Sequence, residues 1–323
     1  MTQRFLALTF ALLCCAGRIS AATPAVVDPE NIVRQELAAL SRGDVDGVVA
    51  LFSMDARVYR IPKEPRRLVG ELSTTLSGRE TMRRFLHQNA AKGPPQRYEI
   101  IDMTSIGELV VARLRVTMPS DYNKPSYLLT AYRVQDGLIH DLWHMGRSDQ
   151  ASVLRNAEAQ AVIERFVRAN NQGDVETFLA QFDKDARNYR RSEVPFRLSD
   201  QLSSKIVDQQ SRTEVFREMF GNGAPVQAEP IDTLVFGDLV VAREKVTRPD
   251  GAILDQLSIY RVSDGRIQDD WFVAAVERSV AAGSPKSGAS GDYARGDAVL
   301  AVCYPGGSGD EHGRELRYSG GPL

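Results

Sequence analysis

The chain has 323 residues, of which 43% are hydrophobic and 25% charged, and its formal net charge is -2 at pH 7. The hydrophobic fraction is ordinary for a soluble globular protein, and the length suits two domains. The near-neutral charge and the lack of a basic cluster in the sequence argue against nucleic-acid binding. No segment reaches the ~18 consecutive apolar residues of a membrane-spanning helix, so we expect no stable membrane insertion.

Residues 1–22 have the pattern of an export signal. Arg4 supplies a positive charge, residues 5–16 are mostly apolar, and Ser-Ala-Ala at 20–22 fits a cleavage site. A lipoprotein anchor is the alternative, but Leu13 before Cys14 is not the small residue that such an anchor requires. Cleavage leaves Cys303 as the single cysteine, which excludes an internal disulfide and a cysteine-based zinc site. We therefore expect a periplasmic or secreted protein, and the sequence implies no cofactor.

Three blocks of the sequence occur twice in the same order. GDVDGVVALFSMDARVYR (43–60) returns as GDVETFLAQFDKDARNYR (173–190), with ten of eighteen positions identical. GELVVARLRVT (107–117) returns as GDLVVAREKVT (237–247), and YRVQDGLIHDLW (132–143) returns as YRVSDGRIQDDW (260–271). The shared offset predicts a duplicated domain, at 28–150 and 155–282, with each copy long enough to bury its own core. The Gly/Ser-rich stretch 283–323 lacks periodicity and is predicted to be a disordered tail.

Each repeat begins with helical spacing and continues with strands. Apolar residues such as Val33 and Leu37 predict a first helix, and Gly43-Asp44 predicts its end and the cap of a second helix. A proline-marked loop and a third helix near 79–87 follow. β-Branched runs and a hairpin turn at Asp136-Gly137 then predict antiparallel strands. Helices first and strands afterwards indicate an α+β fold, with three helices packed on one face of a mainly antiparallel sheet.

The segment AALSRGDVDGVVALFSMDA (38–56) and the closing hairpin YRVxDGxI resemble the nuclear-transport-factor-2-like superfamily, which includes SnoaL-like polyketide cyclases and ketosteroid isomerases. The resemblance covers nearly all of both repeats. It implies two tandem cones, in which a curved sheet wraps against three helices and encloses an apolar pocket. It also implies that the convex face of each sheet is a dimer interface. The superfamily hosts several kinds of enzyme and non-catalytic domains, so the fold alone does not assign a function.

Ketosteroid isomerases come closest over the first helices, so their catalytic positions can be compared with this chain. They use an aspartate base, a tyrosine and a protonated aspartate. The position of the aspartate base holds Arg60 in the first repeat and Arg190 in the second. The tyrosine position holds Glu36 and Phe166, and the position of the protonated aspartate holds Thr130 and Ser258. An arginine stays protonated and cannot accept a substrate proton. We therefore expect the fold without ketosteroid isomerase activity.

Strand alternation in the family register decides which residues face the pocket. It predicts Thr130, Tyr132, His140, Leu142 and His144 in the first repeat, and Ser258, Tyr260, Gln268, Asp270 and Phe272 in the second. His144 and His140 are the candidate catalytic residues, because an imidazole titrates near neutral pH. The alternative is that both histidines lie at a partly exposed rim. Strand rise separates the two by ~13 Å, which is too far to share one metal ion.

The closing strands share a second pattern. Trp143 and Trp271 alternate with Asp141 and Asp269, and with Ile139 and Ile267. In the family register this face is convex, so we expect an intrachain pseudo-dimer through the two tryptophan faces. The buried aspartates then need cationic partners, and the neighbouring strands offer Arg113, Arg133, Arg243 and Arg261.

Four further residues invite a functional interpretation. Arg60 and Arg190 each follow a tyrosine. They could attract an anion at the mouth of a pocket, but we favour the alternative that each forms an ion pair with an Asp or Glu. His87 ends the third predicted helix and is expected to pack rather than catalyse. Cys303 lies in the predicted tail without a histidine near it in sequence, which disfavours a nucleophile.

The sequence therefore predicts an exported protein of two SnoaL-like cones that binds a small, mostly apolar molecule. One alternative is a cyclase-, dehydratase- or isomerase-type enzyme that uses a histidine base in the first repeat. The other is a non-catalytic interaction module whose cones are filled by side chains. The volume of the pocket distinguishes the filled-cone alternative from the two hypotheses that require a ligand site.

Overall fold

The computed structural model describes residues 28–119, 121–221 and 226–278. Each repeat contains three α-helices and a five-stranded sheet, so the α+β fold and the tandem organisation are confirmed. The predicted export signal at 1–22, the predicted tail at 283–323 and Cys303 lie outside the described residues.

The helices follow the predicted order. Their bounds are α1 Pro29–Arg42, α2 Val45–Ala50 and α3 Arg79–Ala90 in the first repeat, and α4 Ala157–Gln172, α5 Val175–Leu179 and α6 Gln209–Gly221 in the second. A short 3-10 helix, Ala151–Leu154, precedes α4. Gly43 ends α1 with a left-handed φ of 69°, and its N–H donates to the carbonyls of Ala39 and Leu40. The Asp44 side chain then accepts a hydrogen bond from the Gly47 N–H and caps α2.

The two sheets have the same topology. The strands are β1 Phe52–Tyr59, β2 Arg97–Ile106, β3 Leu109–Met118, β4 Asp121–Gln135 and β5 Leu138–Ser148, then β6 Phe182–Tyr189, β7 Gln227–Phe236, β8 Leu239–Thr247, β9 Ile253–Ser263 and β10 Arg266–Glu277. The strand orders are β1-β5-β4-β3-β2 and β6-β10-β9-β8-β7. The β1–β5 and β6–β10 pairs are parallel and the remaining pairs antiparallel.

Two irregularities interrupt the pairing of each closing strand, and the first of them is a β-bulge that shifts the alternation. In β5, Ile139 pairs with Val134 and Asp141 with Arg133, which leaves His140 as the extra residue. The same shift in β10 leaves out Gln268. Because of the bulge, Ile139 lies on the helix side of its sheet, opposite Trp143. The sequence analysis placed Ile139 and Ile267 on the tryptophan face, and that placement is wrong for both.

The two sheets contribute to one hydrophobic cluster, which we call the shared cluster. It contains Trp143 and Trp271 together with residues of β3, β4, β8 and β9. Tyr59 stacks on Trp143 at 5.6 Å between ring centroids, and Tyr189 stacks on Trp271 at 4.6 Å. The helix-side faces form separate clusters, one in each repeat. Each sheet therefore buries one face against its own helices and the other in the cluster that the repeats share.

The fully buried carboxylates Asp141 and Asp269 lie beside the shared cluster, and each is reached by three arginines. Asp141 meets Arg57, Arg133 and Arg197, and Asp269 meets Arg66, Arg187 and Arg261. Arg197 and Arg66 come from the opposite repeat. The expected partners Arg133 and Arg261 are thus present. The other two expected partners do not bind these carboxylates, because Arg113 pairs with Asp102 on β2 and Arg243 pairs with Asp232 and Asp255.

The loops before α3 and α6 cross between the repeats. Asp200, in the second of these loops, accepts hydrogen bonds at 3.0 Å from the backbone N–H groups of Leu68 and Val69 in the first loop. The same carboxylate accepts at 3.0 Å from the indole Nε1 of Trp271. The equivalent indole nitrogen of Trp143 is buried and has no hydrogen-bond partner in the part of the chain that the structure describes. The repeats are therefore similar in backbone but differ in their polar contacts.

Candidate functional site

A cavity of about 310 Å³ lies between the helices and the sheet of the first repeat, and we call it the first cavity. Its wall is mostly apolar, formed by side chains such as Phe52, Val58, Leu114 and Leu128. The polar side chains deepest in the fold that line it are Glu36, Tyr98, Thr130, Tyr132 and His144. Asp44, Asn89 and Gln96 line it at the α1–α2 turn, the end of α3 and the start of β2. The first cavity is therefore an apolar space with a few polar groups.

Four of the predicted first-repeat residues line this cavity, namely Thr130, Tyr132, Leu142 and His144. His140 does not, since it is the extra residue of the bulge. The prediction of a two-histidine pocket is therefore wrong, because alternation does not continue through a β-bulge. A catalytic role for His144 stays a prediction.

Glu36, at the position of the ketosteroid isomerase tyrosine, is the main polar group for which the sequence predicted no role. It projects from α1 and is fully buried, and burial raises its pKa to about 8. Its Oε2 has no hydrogen-bond partner among the described residues. The carboxyl group is therefore protonated at neutral pH and can donate a hydrogen bond as well as accept one. The sequence did contain a signal, because an acid beside Val33, Leu37 and Leu40 lies on the apolar stripe of α1.

Two tyrosines lie close to Glu36. Burial, and secondarily the charge of Glu36, raises the pKa of Tyr98 to about 12 and that of Tyr132 well above its usual value. The Tyr98 hydroxyl donates to Gln96 Oε1 at 3.0 Å. Both phenols stay protonated at neutral pH and supply hydroxyl groups close to the buried acid.

His144 projects from β5 opposite Thr130 on β4. Burial lowers its pKa to about 4, so the imidazole is neutral at pH 7. A neutral imidazole has one N–H donor and one acceptor nitrogen, and it can bind a ligand or accept a proton.

The second repeat contains a smaller cavity of about 80 Å³, which we call the second cavity. The predicted residues Ser258, Tyr260, Asp270 and Phe272 line it, whereas Gln268 lies at the bulge and does not. Aromatic rings occupy much of the space between the helices and the sheet. Phe166 stacks on Phe178 at 4.4 Å, and Phe178 contacts Phe216 at 4.8 Å between centroids.

The second cavity has its own buried polar groups. Burial raises the pKa of Asp270 to about 7 and that of Glu244 to about 7. Asn188 donates to Asp270 at 3.1 Å and accepts from Arg212 Nε at 3.1 Å. The sequence analysis named Asp270 but missed Glu244, Asn188 and Arg212. All three stand where the first repeat has apolar residues, and only the paired strands and helices bring them together.

The remaining residues that the sequence singled out lie elsewhere. Arg190 lies 3.9 Å from Glu193, which fits the expected ion pair. His87 is exposed at the end of α3, 3.9 Å from Asp46, so the expectation that it packs is wrong. Within the three described ranges, no group of three His, Cys, Asp or Glu side chains is placed to hold a metal ion. No helix in those ranges is long and apolar enough to cross a membrane.

Comparison with known proteins places this geometry in a family. The SnoaL-like domain model matches residues 33–142 and 163–269, one match in each repeat. The two matches cover more than half of the chain, so the chain belongs to the SnoaL-like domain family. A search of the curated proteins finds no significant match.

Several solved structures are similar to one repeat. IdmH from Streptomyces antibioticus, a proposed polyketide cyclase, is 18% identical, and the match covers 38% of this chain and 94% of that chain with a TM-score of 0.31. A cystatin fold protein from Novosphingobium aromaticivorans is 21% identical over 38% of this chain and 100% of that chain, with a TM-score of 0.32. A proposed ketosteroid isomerase from Kribbella flavida is 16% identical over 36% and 75%, with a TM-score of 0.28.

Proposed function

We propose that the chain is an exported protein that binds a small, mostly apolar molecule in the first cavity. The observation that carries this proposal is the buried Glu36 Oε2, which has no partner and belongs to a side chain that lines an apolar space of about 310 Å³. Small-molecule pockets commonly have volumes of ~300 Å³ or more. A buried polar atom without a partner costs about 1–3 kcal/mol, and a ligand that supplies the partner recovers that free energy.

The polar groups define the chemistry of the ligand. Glu36 is protonated at neutral pH, and the hydroxyl of Tyr132 lies close to it, whereas the Tyr98 hydroxyl already donates its hydrogen to Gln96. No Lys or Arg is among the described residues that line this cavity, so a negatively charged ligand gains no compensating charge. The best fit is an uncharged, mainly hydrocarbon molecule with a carbonyl or hydroxyl oxygen directed at Glu36.

A cyclase-, dehydratase- or isomerase-type enzyme is the second candidate, and His144 is the observation that favours it. With a pKa of about 4, its imidazole is free to accept a proton at pH 7, although so low a pKa makes it a weak base. Glu36, with a pKa of about 8, carries a proton that it can donate. A neutral base and a neutral acid lining one apolar cavity are compatible with proton transfer at a substrate.

The third candidate, an interaction module with filled cones, fits only the second repeat. There the aromatic side chains reduce the cavity to about 80 Å³, which is enough for a few water molecules but not for a metabolite.

Extraction and mass spectrometry of the protein purified from its own host test the proposal. We expect the wild type to release a small, uncharged molecule in near-stoichiometric amount. Glu36→Phe, which copies the second repeat, is expected to release none, and Phe166→Leu in the second repeat serves as the matched control with the ligand retained. Equal recovery from wild type and Glu36→Phe would show that the first cavity is not the binding site. Cell fractionation checks export, and a cytoplasmic mature chain would contradict that part.

A further inference from the structure

A further open space lies between the two repeats, away from both the first and the second cavity. It has a volume of about 350 Å³ and is formed by the crossing loop at 62–67, the end of β5, and the turn between β7 and β8. Its floor is apolar, with Met145, Val153, Phe236 and Leu239. We call it the inter-repeat cleft. It shares no lining residue with the first cavity.

Cationic side chains surround this apolar floor. They are Lys63, Arg66, Arg67, Arg147 and Arg261, against the two lining carboxylates Glu64 and Asp238. Three of the arginines are committed to the protein, since Arg66 binds Asp269, Arg67 binds Asp200 and Arg261 binds Asp238.

Lys63 and Arg147 are the cations that remain most available to a ligand. Their side chains are 76% and 56% exposed. Lys63 has an exposed carboxylate, Glu71, at 3.5 Å. Arg147 donates to the Ser126 hydroxyl at 2.9 Å and lies 3.9 Å from the exposed Asp149. Exposed ion pairs of this kind contribute only ~0–1 kcal/mol, so a ligand anion can replace them.

The pseudo-twofold partner of this cleft shows that the open form is not imposed by the fold. Glu193 stands in place of Lys63, Ala275 in place of Arg147, and Phe196 in place of Arg66. The Phe196 ring packs over Gly107, where an added Cβ would lie 2.3 Å from the ring. The remaining space on that side is about 30 Å³.

Arg66 has the same left-handed backbone as Phe196, with φ of 66° against 57°, but its side chain turns away to the other repeat. There it donates to the carbonyl of Gln268 at 2.7 Å and to that of Asp185 at 3.0 Å. The space that Phe196 fills on one side is thereby left empty on the other, and the two available cations border it.

We propose that the inter-repeat cleft binds a small organic anion, with an apolar body on Met145 and Phe236 and a carboxylate, sulfonate or phosphate between Lys63 and Arg147. The site differs in chemistry from the first cavity, which has a buried acid and no lining cation. One chain therefore separates two ligand classes, an uncharged molecule in the cone and an anion between the repeats.

Two dyes with nearly the same body test this proposal by fluorescence titration of the full chain. Anilinonaphthalene sulfonate is an anion, and N-phenylnaphthylamine lacks the sulfonate. We expect Lys63→Gln with Arg147→Gln to weaken binding of the anionic dye by about tenfold or more, since two charge-assisted hydrogen bonds are lost. Binding of the uncharged dye should not change. Both residues are exposed, so the fold should persist, and thermal unfolding checks this.

A control with equal loss of charge excludes a general electrostatic effect. Arg115→Gln with Lys245→Gln removes two cations from β3 and β8, and neither residue lines the cleft. This variant should bind the anionic dye as the wild type does. The proposal is overturned if the control weakens anion binding as much as the cleft variant, or if Glu36→Phe alone abolishes binding of the anionic dye.

Discussion

The two repeats place their buried carboxyl groups on opposite walls of the same fold. In the first repeat the acid is on helix α1 at Glu36, and the facing sheet positions Leu114 and Leu142 are apolar. In the second repeat the helix position is Phe166, and the corresponding sheet positions carry Glu244 and Asp270. The second repeat thus has an aromatic residue on the helix wall and acids on the sheet wall, where the first has an acid on the helix and leucines on the sheet.

The difference in cavity size has the same origin. Phe166, Phe178 and Phe220 replace Glu36, Val48 and Ala90, and their rings contact one another over the second sheet. The larger side chains reduce the cavity from about 310 to about 80 Å³. A duplicated cone can therefore keep its backbone while one copy remains open to a ligand and the other is packed.

The largest expected effect comes from making the first repeat resemble the second. Glu36→Phe should fill the first cavity and remove its unpartnered acid, lowering affinity for an uncharged ligand by on the order of a hundredfold. Titration with N-phenylnaphthylamine measures this loss. Phe166→Leu is the control, because it changes the equivalent position of the second repeat and should leave affinity unchanged. Comparable affinities in the two variants would contradict the assignment of the first cavity.

The pH dependence of stability should differ between wild type and Glu36→Gln. The folded-state pKa of Glu36 is about 8, above its ordinary value of 4.5, so the folded state holds more protons between these values. The unfolding free energy then falls as pH rises through that window, by up to a few kcal/mol at ~1.4 kcal/mol per pKa unit.

The variant removes this contribution and should become more stable relative to wild type as pH rises from 5 to 8. His144 acts in the opposite direction, because its lowered pKa of about 4 makes stability fall as pH drops below 6.5. Urea unfolding of both proteins across this range gives the difference directly. Parallel stability curves would mean that Glu36 is ionised in the folded protein.

A pair of substitutions at one equivalent position separates chemistry from packing. Phe272→Ala should cost about 3 kcal/mol of stability, since it opens a cavity in the aromatic core of the second repeat. His144→Phe should leave the fold intact and abolish any turnover that is found. Chemical denaturation and an assay of the purified ligand measure the two effects. Turnover that survives His144→Phe would show that His144 is not the base.

The smallest expected effect concerns the two tryptophans of the shared cluster. Trp271 donates its indole N–H to Asp200, whereas the Trp143 indole N–H is buried without a partner. Trp271→Phe should therefore cost about 1 kcal/mol more than Trp143→Phe, which loses no hydrogen bond. Urea midpoints of the two variants measure the difference. Asp200→Asn should lose stability as Trp271→Phe does, and an opposite order of the midpoints would contradict this account.

The fold could be predicted because its signals are local and occur twice. The Gly-Asp pair ends one helix and caps the next, and the Asp-Gly turn joins the last two strands. Most of the strand residues that line the cavities were also predictable, since alternation is a property of the strand itself. It failed at His140 and Gln268, where a bulge adds a residue that alternation cannot anticipate.

The polar character of the sites was less predictable. The position of Glu36 on the apolar stripe of α1 is visible in the sequence, but the raised pKa values of Glu36 and Glu244 arise from burial by segments far apart in the chain. In the arginine clusters at Asp141 and Asp269, Arg133 and Arg261 were expected. Arg57 and Arg187 on the parallel neighbouring strands were not, nor was the arginine that each cluster takes from the opposite repeat.

The sequence by itself determined the duplication, the α+β order of elements, and the faces of most strand residues. These properties follow from spacing along the chain, which the amino-acid sequence contains directly. Only the tertiary structure decided which cone stays open, which carboxyl groups keep their protons, and where a cleft remains between the repeats. Those outcomes depend on the volumes and charges that meet across helices, sheets and crossing loops, and no single segment of the sequence contains that information.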